Sequence, residues 1–257
     1  MTDPELLELA ASLAERAGVV INQIRARGFE TTSKADHSPV TEADHAAELL
    51  IAAGLRAATP DIPVVAEEEI AAGRVPEQAS CFWLVDPIDG TREFSAGRDD
   101  FAVCIGLIRN GRPVLGVIGQ PAIGAIFGGL VGVGAWRRDA AGQHPISART
   151  RPSGGIEVVA SRSYANDATL AKYLAGFTVA GVKNMGSALK FSLLAQGQAD
   201  LYPRFGRTME WDTAAAQAVL DGGGGRVLAY PEMVPLSYGK PGFENPHFVC
   251  QGAGWAD

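Results

Sequence analysis

The sequence predicts a mixed α/β protein, α+β in its N-terminal half and α/β in its C-terminal half. Three observations carry that expectation. Two amphipathic helical patterns come first, a series of short apolar runs punctuated by Gly and Pro follows, and beyond residue 155 strand-like and helix-like segments alternate.

Thr2-Asp3-Pro4 has the form of a helix start, with proline in the first turn, where its missing N–H costs nothing. Leu6, Leu9, Ala10, Leu13, Ala17, Val20, Ile21 and Ile24 then repeat every 3.6 residues up to Gly28. A polar stretch to Pro39 precedes a second helical pattern over about 41–55. The brief apolar runs 62–66 and 81–85 read as buried strands, and 101–137 as an antiparallel meander. The stretch 113–136 carries no charge, but Gln120, Pro121 and seven glycines break it into strands and turns rather than a membrane span.

In the second half, 157–161, 177–180, 199–202 and 226–229 read as strands, with helical patterns at 165–174, 186–196 and 211–220 between them. The basic, Pro- and Gly-containing stretch 148–155 is the natural boundary between an N-terminal half, 1–150, and a C-terminal half, 151–257. No internal repeat or low-complexity tail is visible.

Composition narrows the partners. The chain of 257 residues has 22 Lys plus Arg against 29 Asp plus Glu, a formal net charge of −7. That sign argues against a nucleic acid, whose phosphates require a concentrated basic face. A small anionic substrate remains open if metal ions supply positive charge. Cys81, Cys104 and Cys250 are odd in number, form no C-x-x-C pair and lie in apolar runs, which favours buried thiols in a reducing compartment. The acidic N-terminus lacks the pattern of a signal peptide. The expectation is a cytoplasmic protein without an integral membrane segment, peripheral membrane association and oligomeric state being left open.

The strongest chemical signal is Asp86-Pro87-Ile88-Asp89-Gly90-Thr91, directly after the apolar run 81–85. Two carboxylates three residues apart would project into one small volume, and Gly90 allows close approach of a ligand. A helix starting at Thr91 would point free amides at an anion. A β-turn with Asp and Gly in their usual places is the competing reading. Glu67-Glu68-Glu69 follows the run 62–66, where three acids could be a solvated loop or could turn Glu67 into the same cleft. Asp212, in Trp211-Asp212-Thr213-Ala214-Ala215, suits both a helix N-terminus and a ligand. Thr41-x-x-Asp44 reads equally well as a capping box.

Together Asp44, Glu67, Asp86, Asp89 and Asp212 form an all-oxygen set suited to a hard cation, with Mg²⁺ the expected one for phosphate chemistry. The histidines, His37, His45, His144 and His247, show no ligand spacing. No G-x-S-x-G elbow, Walker loop or G-x-G-x-x-G is present. Gly222 to Gly225 reads as a helix stop.

These motifs, in this order along the chain, resemble the inositol monophosphatase-like superfamily of metal-dependent, lithium-sensitive phosphatases. The likeness runs through Ser38 to Asp44, Glu67-Glu68, Asp86 to Thr91, Gly186-Ser187 and Trp211 to Ala215. Arg92-Glu93-Phe94, Gly186-Ser187-Ala188-Leu189-Lys190-Phe191, Ala199 to Arg204 and Thr208 to Thr213 are most similar to its 3′(2′),5′-bisphosphate nucleotidase branch.

The resemblance implies a layered α/β/α/β/α sandwich. It implies hydrolysis of adenosine 3′,5′-bisphosphate, a by-product of sulfate activation and sulfuryl transfer, to AMP and phosphate, by metal-activated water without a covalent intermediate. It implies two firmly held Mg²⁺ ions and a weaker third. Glu67, Asp86 and the Ile88 carbonyl would hold one ion, Asp86, Asp89 and Asp212 a second, and Asp44 with Glu67 the third. Glu67, Thr91 and Asp44 would serve catalysis, Thr91 by orienting the attacking water. The substrate would be held by Ile88, Asp89, Gly90, Thr91 and Asp212 near the scissile phosphate, and by Ser187, Lys190 and Arg204 around the nucleotide.

Two positions depart from the pattern: Tyr164 stands where the nucleotidases commonly have His, and Ala66 where Ser or Gly is usual before the paired glutamates. The rival readings are an inositol monophosphatase, a histidinol phosphatase or a sugar bisphosphatase of the same fold, and, in another class, a non-catalytic metal-binding regulatory module.

Overall fold

In the computed structural model, which describes residues 1–33, 39–77, 79–162 and 168–255, the predicted first helix is α1 (Asp3–Arg27). The Glu5 carboxylate accepts the Thr2 N–H at 2.7 Å, and Leu6, Ala10, Leu13, Ala17, Ile21 and Ile24 are buried along one face. The polar stretch that follows is not all loop. It pairs β1 (Thr31–Ser33) with β2 (Pro39–Thr41) in a short antiparallel ribbon. Helix α2 (Glu42–Ala58) starts directly after.

A seven-stranded sheet takes up the rest of the N-terminal half: β3 (Val64–Ala66), β4 (Cys81–Asp89), β5 (Ala102–Arg109), β6 (Arg112–Gln120), β7 (Ala125–Leu130), β8 (Gly134–Asp139) and β9 (Gly142–Ile146), in that spatial order. β3 and β4 are parallel and every later pair is antiparallel. The uncharged stretch thus forms sheet, and among the described residues no helix is long and apolar enough to cross a membrane. Short helices α3 (Glu67–Ala71) and α4 (Thr91–Ser95) leave the ends of β3 and β4.

The C-terminal half begins with β10 (Ile156–Ser161) and α5 (Ala168–Leu174), then β11 (Val179–Met185), α6 (Leu189–Ala195), β12 (Leu201–Arg204), α7 (Glu210–Gly222), β13 (Arg226–Ala229), β14 (Val234–Pro235) and β15 (Phe248–Gln251). Its six strands are ordered β11-β10-β12-β15-β13-β14. The parallel pairings of β10 with β11 and β12 fit the predicted alternation, but β15 joins antiparallel between β12 and β13. Its four residues are all buried, too short a run to stand out in sequence.

Both faces of the larger sheet are covered, so its strands are apolar throughout and alternate between two cores. Trp83, Val85, Val103, Ile105 and Leu107 pack under α1 and α2. Phe82, Leu84, Ala102 and Cys104 pack instead against α6 and α7. Beyond α6 and α7 lies the second sheet, whose outer face gathers Ile156, Val158, Leu201 and Val249 with Tyr173 and Leu174 of α5. The layers run α/β/α/β/α, as the resemblance implies.

α7 lies unusually close to the larger sheet. A Cβ at Gly106, Gly116 or Gly129 would come within 2.4–2.7 Å of the backbone of Ala215 or Val219. Three glycines on neighbouring strands therefore make the floor on which α7 rests. Cys104 and Cys250 are buried and Cys81 is half-buried, all three as free thiols.

Candidate active site

A cleft of about 610 Å³ opens where β4, α3, α4 and the starts of α6 and α7 meet. Its acidic floor depends on a local irregularity. Asp86 and Asp89, three apart, would face opposite sides of a regular strand. Their partners on β5 are Cys104 and Ala102, two apart, so β4 carries one extra residue. This is a β-bulge. It turns both carboxylates toward α7, while Ile88 points into the core under the first two helices. The strand, expected to stop at Val85, therefore continues through the motif to Asp89 in place of a turn.

The third carboxylate arrives from the other half of the chain. Asp212 sits in the first turn of α7 and accepts the Met209 N–H at 2.8 Å, so the capping and ligand readings coexist. Among the described residues, oxygens of Asp86, Asp89 and Asp212 lie within 4.8 Å of one another. Burial first pushes the carboxyls of Asp89 and Asp212 upward; the charge of Glu67 adds to both, and that of Asp89 to Asp212. A group of acids held this close is strained without a cation and satisfied with one, and the donors are all oxygen.

Glu67 lines the cleft from the start of α3 but stands outside that group of three. Its charge still contributes to the upward shifts of Asp44, Asp89 and Asp212. The three-acid run is helix rather than solvated loop, and its members have separate tasks. Glu67 faces the cleft, Glu68 is buried, and Glu69 takes both terminal nitrogens of Arg56 at 2.9 and 2.5 Å.

Asp44 closes the capping box foreseen at the start of α2. Its Oδ2 accepts the Thr41 N–H at 2.8 Å and the Thr41 hydroxyl at 2.6 Å. Its Oδ1 lies 3.2 Å from the Thr91 hydroxyl, which also stands 3.0 Å from the Ile88 carbonyl. Burial is the main cause that raises the Asp44 carboxyl. Between Ile88 and Thr91, Gly90 adopts φ 96° with Asp100 O and Ser187 Cβ only 3.2 Å from where a Cβ would be. Both the positive φ and the tight surroundings require glycine there.

Across the cleft, the helix expected from residue 186 begins at Leu189, and Ser187 takes a positive φ of 54°. The left-handed backbone at Ser187 keeps the helix from starting earlier, and the amides around it bond to carboxylates of the other half. The Ala188 N–H donates to Asp89 Oδ2 and the Gly186 N–H to Asp100 Oδ2 at 2.7 Å.

Lys190 is 4% exposed; its ammonium donates to the carbonyls of Ser187 at 2.5 Å and Met185 at 3.3 Å. It also lies 5.1 Å from the centre of the Tyr202 ring. Burial lowers its pKa to about 8, against the pull of Asp89. Arg204 lines the same wall, its guanidinium donating to the Arg207 carbonyl at 3.1 Å. Of the predicted residues, the structure thus gathers Glu67, Asp89, Gly90, Thr91, Ser187, Lys190, Arg204 and Asp212 around one cleft, with Asp44, Asp86 and Ile88 immediately behind.

Two residues at the site escaped the sequence reading. Asp100 accepts Arg162 at 2.6 Å besides Gly186, bridging the halves at the cleft edge. Nothing local marks it, since its partners are 62 and 86 residues away. Glu48 was legible in principle, as an acid one turn after Asp44 in the apolar stripe of Ala43, Ala47 and Ile51. Tyr164, His37 and Ser38 lie outside the described residues; the other histidines are exposed.

The layered fold and its acid-floored cleft define a class, and the chain belongs to it: residues 3–247 match the inositol monophosphatase family. Within that family it is 42% identical over 247 residues to the 3′(2′),5′-bisphosphate nucleotidase CysQ of Escherichia coli (strain K12), covering 95% of this chain and 98% of that one. Among solved structures it is similar to CysQ from Bacteroides thetaiotaomicron, with a TM-score of 0.80 and 31% identity across 96% of this chain and 97% of that one. It is also similar to an inositol monophosphatase from Zymomonas mobilis, with a TM-score of 0.80 and 26% identity across 98% and 94%.

Proposed function

We propose that this chain is a Mg²⁺-dependent 3′(2′),5′-bisphosphate nucleotidase that hydrolyses adenosine 3′,5′-bisphosphate to AMP and phosphate. The observation that carries the reading is the two-sided cleft. A carboxylate cluster suited to cations lies on its floor, and Lys190 and Arg204 stand on the wall beside Asp89, where a second phosphate would need them. The near-full-length likeness to enzymes named for this activity supports it.

Glu67, Asp86 and the Ile88 carbonyl would hold one ion, Asp86, Asp89 and Asp212 a second, and Asp44 with Glu67 a weaker third. Bound there, such ions supply positive charge for the phosphate and lower the pKa of a coordinated water. The protein's own groups do the rest. Thr91, donating its proton to Asp44, presents its oxygen to accept one from the attacking water. The amides of Gly90 and Thr91 receive the phosphate oxygens. Water adds to phosphorus as the bond to the ribose oxygen breaks, and the leaving oxygen takes a proton. Ser187, Lys190 and Arg204 hold the remaining 5′-phosphate and sugar; guanidinium is suited to gripping phosphate oxygens in pairs.

The test is a phosphate-release panel in Mg²⁺ comparing adenosine 3′,5′-bisphosphate, inositol 1-phosphate, histidinol phosphate and fructose 1,6-bisphosphate. The nucleotide should give the highest kcat/KM. A preference for any of the other three would replace this substrate assignment, and no release from any would favour a non-catalytic metal-binding module.

A further inference from the structure

The helix that carries Glu67 starts without a capping side chain of its own. Its N-cap is Ala66, which makes no side-chain hydrogen bond, at the position where the family resemblance leads one to expect Ser or Gly. Free amides in a first helical turn need acceptors, and a buried one left without costs stability.

Here an acceptor comes from another helix. Glu48 Oε2 accepts the Glu68 N–H at 2.6 Å, across 20 residues of sequence, and the Glu69 amide also hydrogen-bonds this carboxylate. Glu48 is 4% exposed and lies one turn after Asp44 on α2, so both acids leave the same buried face. One of them holds Thr91 and the other holds the start of α3. Burying a carboxyl costs free energy, which raises its pKa to about 7. Glu48 does not line the cleft, so direct contact with a ligand there does not account for it.

We propose that Glu48 is a positioning residue: it supplies from α2 the cap that Ala66 cannot, and thereby fixes Glu67 relative to Asp44. The inference rests on the reading of Glu67 as a metal ligand proposed above. The competing reading is a buried acid that satisfies itself on whatever amides are near. The two differ in what restores the site when Glu48 is removed, because a hydroxyl at position 66 would cap α3 locally.

The experiment uses the full chain without substrate and measures Mg²⁺ binding by calorimetry. Amide exchange at Glu68 and Glu69 in the metal-free protein is followed in parallel. Glu48→Ala should weaken Mg²⁺ binding roughly fivefold, the size of one lost N-cap, and speed exchange at both amides. Ala66→Ser alone should bind as the parent does, and Ala66→Ser in the Glu48→Ala background should recover most of the loss. A folded Glu48→Ala protein with parental affinity, or a deficit that Ala66→Ser leaves untouched, overturns the proposal. If Glu48→Ala does not fold, Glu48→Leu, which fills the space but offers no acceptor to the Glu68 N–H, takes its place: a loss repaired by Ala66→Ser supports the proposal, and no loss or no repair overturns it. Glu67→Gln separates this from the underlying reading, since unchanged Mg²⁺ affinity in that variant removes Glu67 as a ligand, whatever Glu48 does.

Discussion

Thr91 and Asp44, 47 residues apart in sequence, stand 3.2 Å apart at the foot of the cleft. Asp44 spends its other oxygen on the start of α2, so the contact ties the orientation of the Thr91 hydroxyl to a helix cap. Thr91→Val keeps the shape and removes the hydroxyl. It should lower kcat by roughly 10²-fold or more, the scale of a lost proton-transfer partner, with Mg²⁺ affinity nearly unchanged. Single-turnover rates and Mg²⁺ titration of the same sample check it, and an unchanged kcat would remove Thr91 from the chemistry.

Asp89→Asn is nearly isosteric and deletes one charge from a site that must hold divalent ions. The rate should fall roughly 10²-fold or more as an ion is lost. The metal-free variant should melt no lower than the parent, because repulsion with Asp212 is relieved and the amide oxygen can still accept from Ala188. Circular dichroism showing an unfolded variant would make Asp89 a structural residue instead.

Arg204→Ala should raise KM for adenosine 3′,5′-bisphosphate strongly and for a monophosphate much less, since only the bisphosphate has a second phosphate to hold. Lys190→Ala should be less selective. Its ammonium also ties down the carbonyls of Ser187 and Met185, so its loss loosens the segment that receives any substrate. Equal KM changes on both substrates for Arg204→Ala would refute the bisphosphate assignment while leaving the phosphatase reading intact.

The stability of the metal-free protein should depend on pH in a stated direction. Burial raises the carboxyls of Glu48 and Asp221 to about 7. Groups whose folded pKa is raised hold protons more tightly when folded, so the stability they contribute is complete below the ordinary carboxylate range and is lost as pH rises through about 7. The melting midpoint should therefore fall by several degrees between about pH 5 and pH 8, at roughly 2–4 °C per kcal/mol for a chain of this size. Mg²⁺ added at pH 8 should raise it again, and excess chelator should abolish both that rise and activity. A midpoint that climbs with pH across this window would contradict the burial of these acids.

Gly116→Ala tests the seat of α7. The added Cβ would meet Ala215 O at 2.4 Å, so the helix must lift from the sheet. Overpacking of this kind costs about 1–3 kcal/mol, and because Asp212 rides on α7, Mg²⁺ affinity should fall alongside the melting temperature. Parental melting and affinity would show that α7 is not seated this closely.

Much of the molecule was legible from local pattern. The 3.6-residue stripes gave α1 and α2, since each buries one face and the sequence shows which, while α7, buried almost all round between the two sheets, was legible only as a helical pattern. The motif 86–91 marked the floor of the site, because two acids beside a glycine are costly unless they serve a purpose. The order of the motifs identified the layered family. Tertiary structure alone decided the rest, for reasons of distance and register. One extra residue opposite β5 turns Asp86 and Asp89 to the same face, and a bulge exists only relative to its partner strand. Asp44 reaches Thr91, and Glu48 reaches the start of α3, through contacts that only packed helices can make. Asp100 and β15 leave no local trace, because each takes its role from segments distant in sequence.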